Sequence, residues 1–381
     1  MKKTTKKILA AVLALVMITV CFTACGGNKG GNGEKTLLIG ATGPLTGDAS
    51  SYGISVKNGA SLAVKEINEA GGVNGIKLAF DIKDDKATAE DASTGYDALM
   101  DAGMKISIGS VTSGSCAAFA DKAESDNLFF ITPSASAANV IEKGTNSFRV
   151  CFGDPDQGVL AAQELVKTYK NIGCIYDTSD PYSSGIYDAF KAEMDKMGAK
   201  FTLQTFDAEN KKDFSTQAEA LKDCDVVFTP FYYTEAGLVV KAFVAKGSKA
   251  VIYGCDGLDG IADQIEGVDS KIMYITPFDV NSNEEATAKF VAAYKAEYNV
   301  EPDQFAADGY DAVYTLYEAF KKAGCTDDMG YEDICDALIA AMPEITVTGL
   351  TGEMTWQATG EVAKDPRAVV IKDGVYVTPE N

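Results

Sequence analysis

The chain has 381 residues, 46% of them hydrophobic, with 34 Lys and Arg against 55 Asp and Glu, a formal net charge of −21 and no histidine. That balance argues against nucleic acid or an anionic membrane face as a partner, since both are held by clustered Lys and Arg. The missing histidine excludes a Ser-His-Asp triad and His-ligated zinc, so no catalytic residue, metal site or cofactor is expected.

At the N-terminus Lys2, Lys3, Lys6 and Lys7 form a basic patch, Ile8 to Val20 carry no charge, and Cys21-Phe22-Thr23-Ala24-Cys25 follows. This order predicts an export signal over residues 1–24, its apolar run being shorter than the about 20 residues a membrane span needs. Removing its four lysines takes the charge from −21 to −25. Phe22-Thr23-Ala24 before Cys25 resembles a bacterial lipobox, with Phe22 where Leu is usual. The resemblance implies a lipid on Cys25 and a protein anchored at the outer face of the cytoplasmic membrane. Residues 25–35 are Gly-rich and polar, the composition of a flexible tether.

Beyond the tether, strand and helix signals alternate. Strands are predicted at 36–41, 78–83, 105–109, 128–132, 172–176, 200–206, 225–229, 250–253 and 272–275. Helices are predicted near 55–70, 89–102, 114–125, 156–169, 184–197, 213–222, 234–246, 284–298, 305–323 and 331–341. In the first, Val56, Ala60, Ala63, Val64 and Ile67 share one face. Such alternation predicts an α/β protein with parallel sheets covered on both faces, and the length predicts two lobes. The two runs part near FRVCFGDPDQG, where Asp154 is predicted to cap a helix, with Pro155 at its first position and Gln157 completing a capping box. Seven cysteines remain after Cys21 and Cys25, an odd number without a CxxC pair, and are predicted to be buried free thiols.

Open α/β sheets bind ligands at the carboxyl ends of their strands. After 105–109 comes GSVTSGS, containing Ser113; after 128–132 comes TPSAS, containing Ser134 and Ser136. Small hydroxyls and free N–H groups at helix starts suit a carboxylate, and they equally suit helix capping alone. Asp256, in YGCDGLDG, fits either a cation receptor or a turn.

Eight segments in order, GPLTGDASSYG, EINEAGGVNGIKL, the Asp84–Asp85 pair, FFITPSAS, FRVCFGDPDQG, KKDFSTQAEALK, TPFYYTEAG and GLTGEMTW, resemble the branched-chain amino acid (Leu/Ile/Val-binding) type of periplasmic solute-binding protein. The resemblance implies two Rossmann-like lobes joined by a three-crossover hinge, with crossings near Asp154, Pro277 and Lys364. Lobe 1 would be 36–153 plus 277–363, and lobe 2 would be 154–276 plus 364–381. It also implies a monomer that captures an amino acid between the lobes and delivers it to the permease of an ABC importer. By the same resemblance Ser113 bonds the ligand carboxylate, the Ser134 carbonyl accepts from its ammonium, and Ser136, in place of Thr, serves both. Asp256, in place of Glu, pairs the ammonium, while Tyr52, Tyr182, Tyr232 and Phe305 line the cleft. A disulfide found in some members is missing, its positions falling at Ala87 and Thr112.

Three rival readings have less behind them. GATGPLTG lacks the dinucleotide fingerprint, and there is no GKS or GKT for a phosphate loop, which disfavours an enzyme. A sensor domain of the same fold is disfavoured by a chain that ends at Asn381 without a span or signalling domain. Small amides, aromatic acids or other organic acids remain alternative cargo.

Overall fold

The computed structural model describes residues 35–364 and the backbone of two further strands, Arg367–Lys372 and Val375–Val377. The predicted leader, Cys25 and all of the tether except Lys35 lie outside the described residues.

The first run builds β1 (Thr36–Gly43), α1 (Ser50–Glu69), β2 (Lys77–Asp84), α2 (Ala89–Asp101), β3 (Ile106–Ser107), α3 (Ser113–Asp126), β4 (Phe130–Thr132) and β5 (Ser147–Arg149). Its five strands pair in parallel in the order β2-β1-β3-β4-β5. Leu37, Ile39 and Ala41 alternate into the core beneath α1, and the predicted stripe on α1 is its buried face.

The second run builds α4 (Asp154–Thr168), β6 (Ile172–Asp177), α5 (Pro181–Lys196), β7 (Thr202–Phe206), α6 (Ser215–Leu221), β8 (Val226–Phe228), α7 (Tyr233–Ala245), β9 (Val251–Gly254) and β10 (Ile272–Thr276). The chain then returns to the first lobe through α8 (Glu285–Tyr298), α9 (Gln304–Ala323) and α10 (Tyr331–Ala341). A small antiparallel ribbon follows, β11 (Thr346–Gly349), β12 (Gly352–Trp356) and β13 (Val362–Ala363), before β14 (Arg367–Lys372) and β15 (Val375–Val377). The last two join the second sheet, ordered β15-β14-β10-β9-β8-β6-β7, with β14 antiparallel to β10. The chain therefore passes between the sheets after β5, after β10 and after β13. Two parallel α/β lobes flanked by helices result, the architecture expected.

α9 lies close against α1 because Gly59 has no side chain: a Cβ there would sit 1.9 Å from the Ala306 carbonyl oxygen. At the crossings, the Trp356 indole N–H donates to the Arg149 carbonyl at 2.8 Å, and the buried Arg149 guanidinium pairs with Glu361 at 2.6 Å. Lys364 donates to the Val150 carbonyl at 2.8 Å and to the Thr351 hydroxyl, and stands 3.8 Å from the Asp308 carboxylate.

Three expectations need correction. Asp154 does not cap α4; Gly153 occupies the cap position without a side-chain bond, and Asp154 is the first helical residue. Its carboxylate is turned inward against α5, where a Cβ on Gly185 would meet it at 2.9 Å, and neither oxygen has a hydrogen-bond partner. Burial lifts this carboxyl well above the usual range, opposed by the nearby Ser136 hydroxyl. Gln157 likewise completes no capping box; its Oε1 accepts the Asp256 N–H at 3.2 Å. Finally, β5 and β11 to β15 went unpredicted: β5 and β13 are only three and two residues long, too short to show alternation. The seven described cysteines are all free thiols, six of them buried and Cys224 partly exposed.

Candidate functional site

The carboxyl ends of both sheets face one another across a cleft. The first lobe contributes the turn after β3, where Thr112 precedes α3, and the turn after β4. Thr112 makes no capping bond and its buried hydroxyl has no partner. The first N–H groups of α3 have no intrahelical acceptor, and the helix dipole adds partial positive charge there. Ser113, 2% exposed, accepts from the Ala137 N–H at 3.2 Å, and the Ser134 hydroxyl donates to the Val111 carbonyl at 2.7 Å. These bonds fix the two serines to one another's loops.

The second lobe contributes Asp256, just past β9, and Tyr182, in the first turn of α5. The Tyr182 hydroxyl donates to Asp256 Oδ1 at 2.7 Å and accepts the Gly257 N–H at 2.9 Å. Burial lifts the Asp256 carboxyl to about 6, against the Tyr182 and Gly257 hydrogen bonds and the nearby Gln157 amide, which favour its charged form. Tyr232, immediately before α7, stacks on Tyr182 at 5.1 Å with 7° between the rings.

Tyr52 reaches across. Its ring lies 4.2 Å from Phe305, while its hydroxyl donates to the Gly257 carbonyl at 2.5 Å and accepts the Tyr233 N–H at 3.1 Å. The Thr234 hydroxyl donates to the Asp48 carbonyl at 2.8 Å, and the Gln304 N–H to Asp259 Oδ2 at 2.9 Å. The lobes are thus drawn together by the protein's own bonds.

Tyr52, Ser113, Ser134, Tyr182, Tyr232, Asp256 and Phe305 all line one space, of about 10 Å³ in this arrangement, room for roughly one water. Ser136 is not brought there. It is fully buried, its carbonyl accepts from the Arg149 guanidinium and from the Asp154 N–H at 3.0 Å, and its hydroxyl has no hydrogen-bond partner.

Sequence reasoning missed Val111, Thr112 and Gly257, which complete the lining. For Gly257 a signal existed: it follows Asp256 in a D-G pair that also reads as a turn. A Cβ on Gly257 would lie 2.7 Å from the Tyr182 hydroxyl, so the absent side chain is what lets the ring approach. Among the described residues no group of three Cys, Asp or Glu is placed to hold a metal ion.

The periplasmic binding protein family model matches residues 36–374. The chain belongs to that family. A Leu/Ile/Val-binding protein, BraC3, of Rhizobium johnstonii is 29% identical over 331 residues, spanning 86% of this chain and 89% of the relative. Among solved structures, a leucine binding protein, LivK, of Thermotoga maritima superposes with a TM-score of 0.81 at 25% identity, covering 90% of this chain and 98% of that one. The branched-chain amino acid transporter substrate binding protein LivJ of Streptococcus pneumoniae, solved with isoleucine, gives 0.81 at 27% identity with the same coverage. The fold is that of a type 1 periplasmic binding protein, a solute-binding architecture.

Proposed function

We propose that this protein captures an amino acid, branched-chain or otherwise hydrophobic, in the interlobe cleft and presents it to the permease of an ABC importer. The observation that carries the reading is the juxtaposition of opposite ends: Ser113, Ser134 and the N-terminus of α3 on one lobe, Asp256 with Tyr182 on the other. A carboxylate suits the hydroxyls and N–H groups, and an ammonium suits the buried Asp256. Aromatic rings around them suit an apolar side chain. The names of the relatives, which bind Leu, Ile or Val, agree with this chemistry.

Capture works by closure. A ligand shifts the hinge only by binding the closed form better than the open one, and contacts made from both lobes at once supply that difference. We take lobe 1 as 36–153 plus 277–363 and lobe 2 as 154–276 plus 364–381, acting as a monomer held outside the membrane by a lipid on Cys25. Nothing in this cycle requires a covalent step.

A thermal-shift panel of free amino acids, simple amides and aromatic acids tests the reading, because a ligand of the folded form raises the melting temperature. Leucine, isoleucine or valine should raise it. No shift with any amino acid, alongside a clear shift with amides or aromatic acids, would replace this cargo with another.

A further inference from the structure

Outside the small inner space lies a second one of about 450 Å³, within the usual range for small-ligand pockets. Both lobes wall it, Asp48 and Lys86 standing on the first and Asp180, Phe206, Phe231 and Glu235 on the second. Tyr232 lines both spaces and so stands between them.

The charges on this wall do not cancel. Four carboxylates, Asp48, Asp177, Asp180 and Glu235, face two ammoniums. Both ammoniums are already engaged. Lys211 pairs with Glu235 at 2.8 Å and Asp48 at 3.7 Å, and Lys86 with Asp91 at 3.2 Å. Asp177 and Asp180 make no ion pair among the described residues; Asp177 accepts from the N–H and hydroxyl of Ser179, and Asp180 from the Ser183 N–H. Burial, together with the neighbouring Asp177 and Glu235, lifts the Asp180 carboxyl to about 6, as expected for a negative charge without a counter-charge. Beside these acids, Phe206 and Phe231 give an apolar wall. An apolar wall leading to unpaired carboxylates matches a methylene stem that ends in a cation.

We propose that this chamber is the outer half of the ligand site and that it takes a cationic side-chain end, an ammonium or guanidinium, with Asp177 and Asp180 as its receptors. The inference rests on the amino acid reading and widens its range. The inner groups grip the zwitterion common to all amino acids, and the outer chamber admits those whose side chain is long and basic once the Tyr232 ring swings aside.

Isothermal titration of the full chain with L-leucine, L-arginine and L-citrulline separates the two claims, since citrulline has the length of arginine without its charge. Arginine should bind at least tenfold more tightly than citrulline, and that ratio should fall below threefold in the Asp177→Asn, Asp180→Asn double variant. Asparagine caps a helix as well as aspartate does, so the start of α5 is kept in that variant. A ratio near one in the unaltered protein overturns the inference, and so does a high ratio that persists in the double variant. Leucine binding in either case leaves the amino acid reading standing. Absence of heat with all three amino acids removes that reading, and this inference with it.

Discussion

Tyr52→Phe isolates the interlobe contact. The substitution keeps the ring against Phe305, Tyr232 and Tyr233 and removes only the hydroxyl that bonds the Gly257 carbonyl at 2.5 Å and the Tyr233 N–H at 3.1 Å. Both bonds join α1 of one lobe to the other lobe, so they exist only when the cleft is shut. At about 1 kcal/mol net for each bond, the closed form loses about 2 kcal/mol while the open form loses nothing. Where the open form predominates before binding, the whole amount passes into the dissociation constant, an increase of about 30-fold. Isothermal titration with leucine reads this directly, and thermal unfolding without ligand should move far less, because neither lobe's own core is touched. A dissociation constant within threefold of the unaltered protein's would refute the argument that these two bonds help to hold the cleft shut.

Acidity should act oppositely on folding and on binding. Burial lifts Asp85, Asp180 and Asp256 each to about 6, so between about pH 4 and 6 the folded form holds more protons than the unfolded one, and stability falls as pH rises through that window. The melting temperature should be higher at pH 5.5 than at pH 7.5; the reverse order counts against the assignment. If Asp256 receives the ammonium as proposed, amino acid affinity should fall below pH 6 by about tenfold per unit, and Asp256→Asn should weaken binding while flattening that profile. Lys364→Met leaves the buried Asp308 without its cation, the two side chains being 0% and 1% exposed, and should cost about 3–5 kcal/mol in urea unfolding. Adding Asp308→Leu should restore most of that loss, and a double variant no more stable than the single one would deny that the pair is coupled. Gly257→Ala forces the Tyr182 ring away from a Cβ 2.7 Å from its hydroxyl, so it should weaken leucine binding about tenfold and shift the melting temperature by only a few degrees. Unchanged leucine affinity would remove Tyr182 from the binding account.

What the sequence made legible follows from the range over which its signals act. Helical periodicity is local, so α1 to α10 appear within a few residues of their ends, and β1 to β4 and β6 to β10 appear as apolar runs, while the three-residue β5 does not. The ribbon β11 to β13 pairs within itself in short hairpins, while β14 is placed by pairing with the distant β10, and the ribbon's position against β5 is set by contacts from far along the chain. Arg149, for instance, is bonded to Gly360, Glu361 and Trp356, some 200 positions away, and nothing in the local pattern announces it. The site divides in the same way. Ser113, Ser134 and Asp256 stand just past predicted strands and reach the cleft by the general rule for open sheets. Ser136 stands in the same loop, yet two residues of turn carry it toward the hinge and Arg149 instead. Asp154 reads as a cap because acceptors before Pro commonly are one, but tertiary packing against Gly185 turns its carboxylate inward. The burial that results could not be read from the residues beside it.

The inner space of about 10 Å³ also bears on how closure proceeds, since an amino acid seated as proposed between Ser113 and Asp256 would have to displace one of the surrounding rings. Tyr52 is held by two hydrogen bonds, and Tyr182 by Asp256 and Gly257. Phe305 sits in the first turn of α9, 5% exposed, packed within the core beneath α1. Tyr232 differs from all three, because its hydroxyl makes no hydrogen bond among the described residues; its ring stacks on Tyr182, meets Tyr52 edge-on and packs, only partly buried, at the margin of two core clusters. Such ring pairs contribute about 0.5–1.5 kcal/mol each beyond burial, and they fix no polar atom, whereas hydrogen bonds fix the hydroxyls of Tyr52 and Tyr182. Tyr232 is also the ring with somewhere to go, since the chamber of about 450 Å³ lies on its other side. On the proposed reading, room is made by rotation of one tyrosine, with Asp256, Ser113 and Ser134 left in place for the zwitterion. On that reading, recognition of the amino acid backbone would belong to the rigid part of the cleft and accommodation of the side chain to the part that moves.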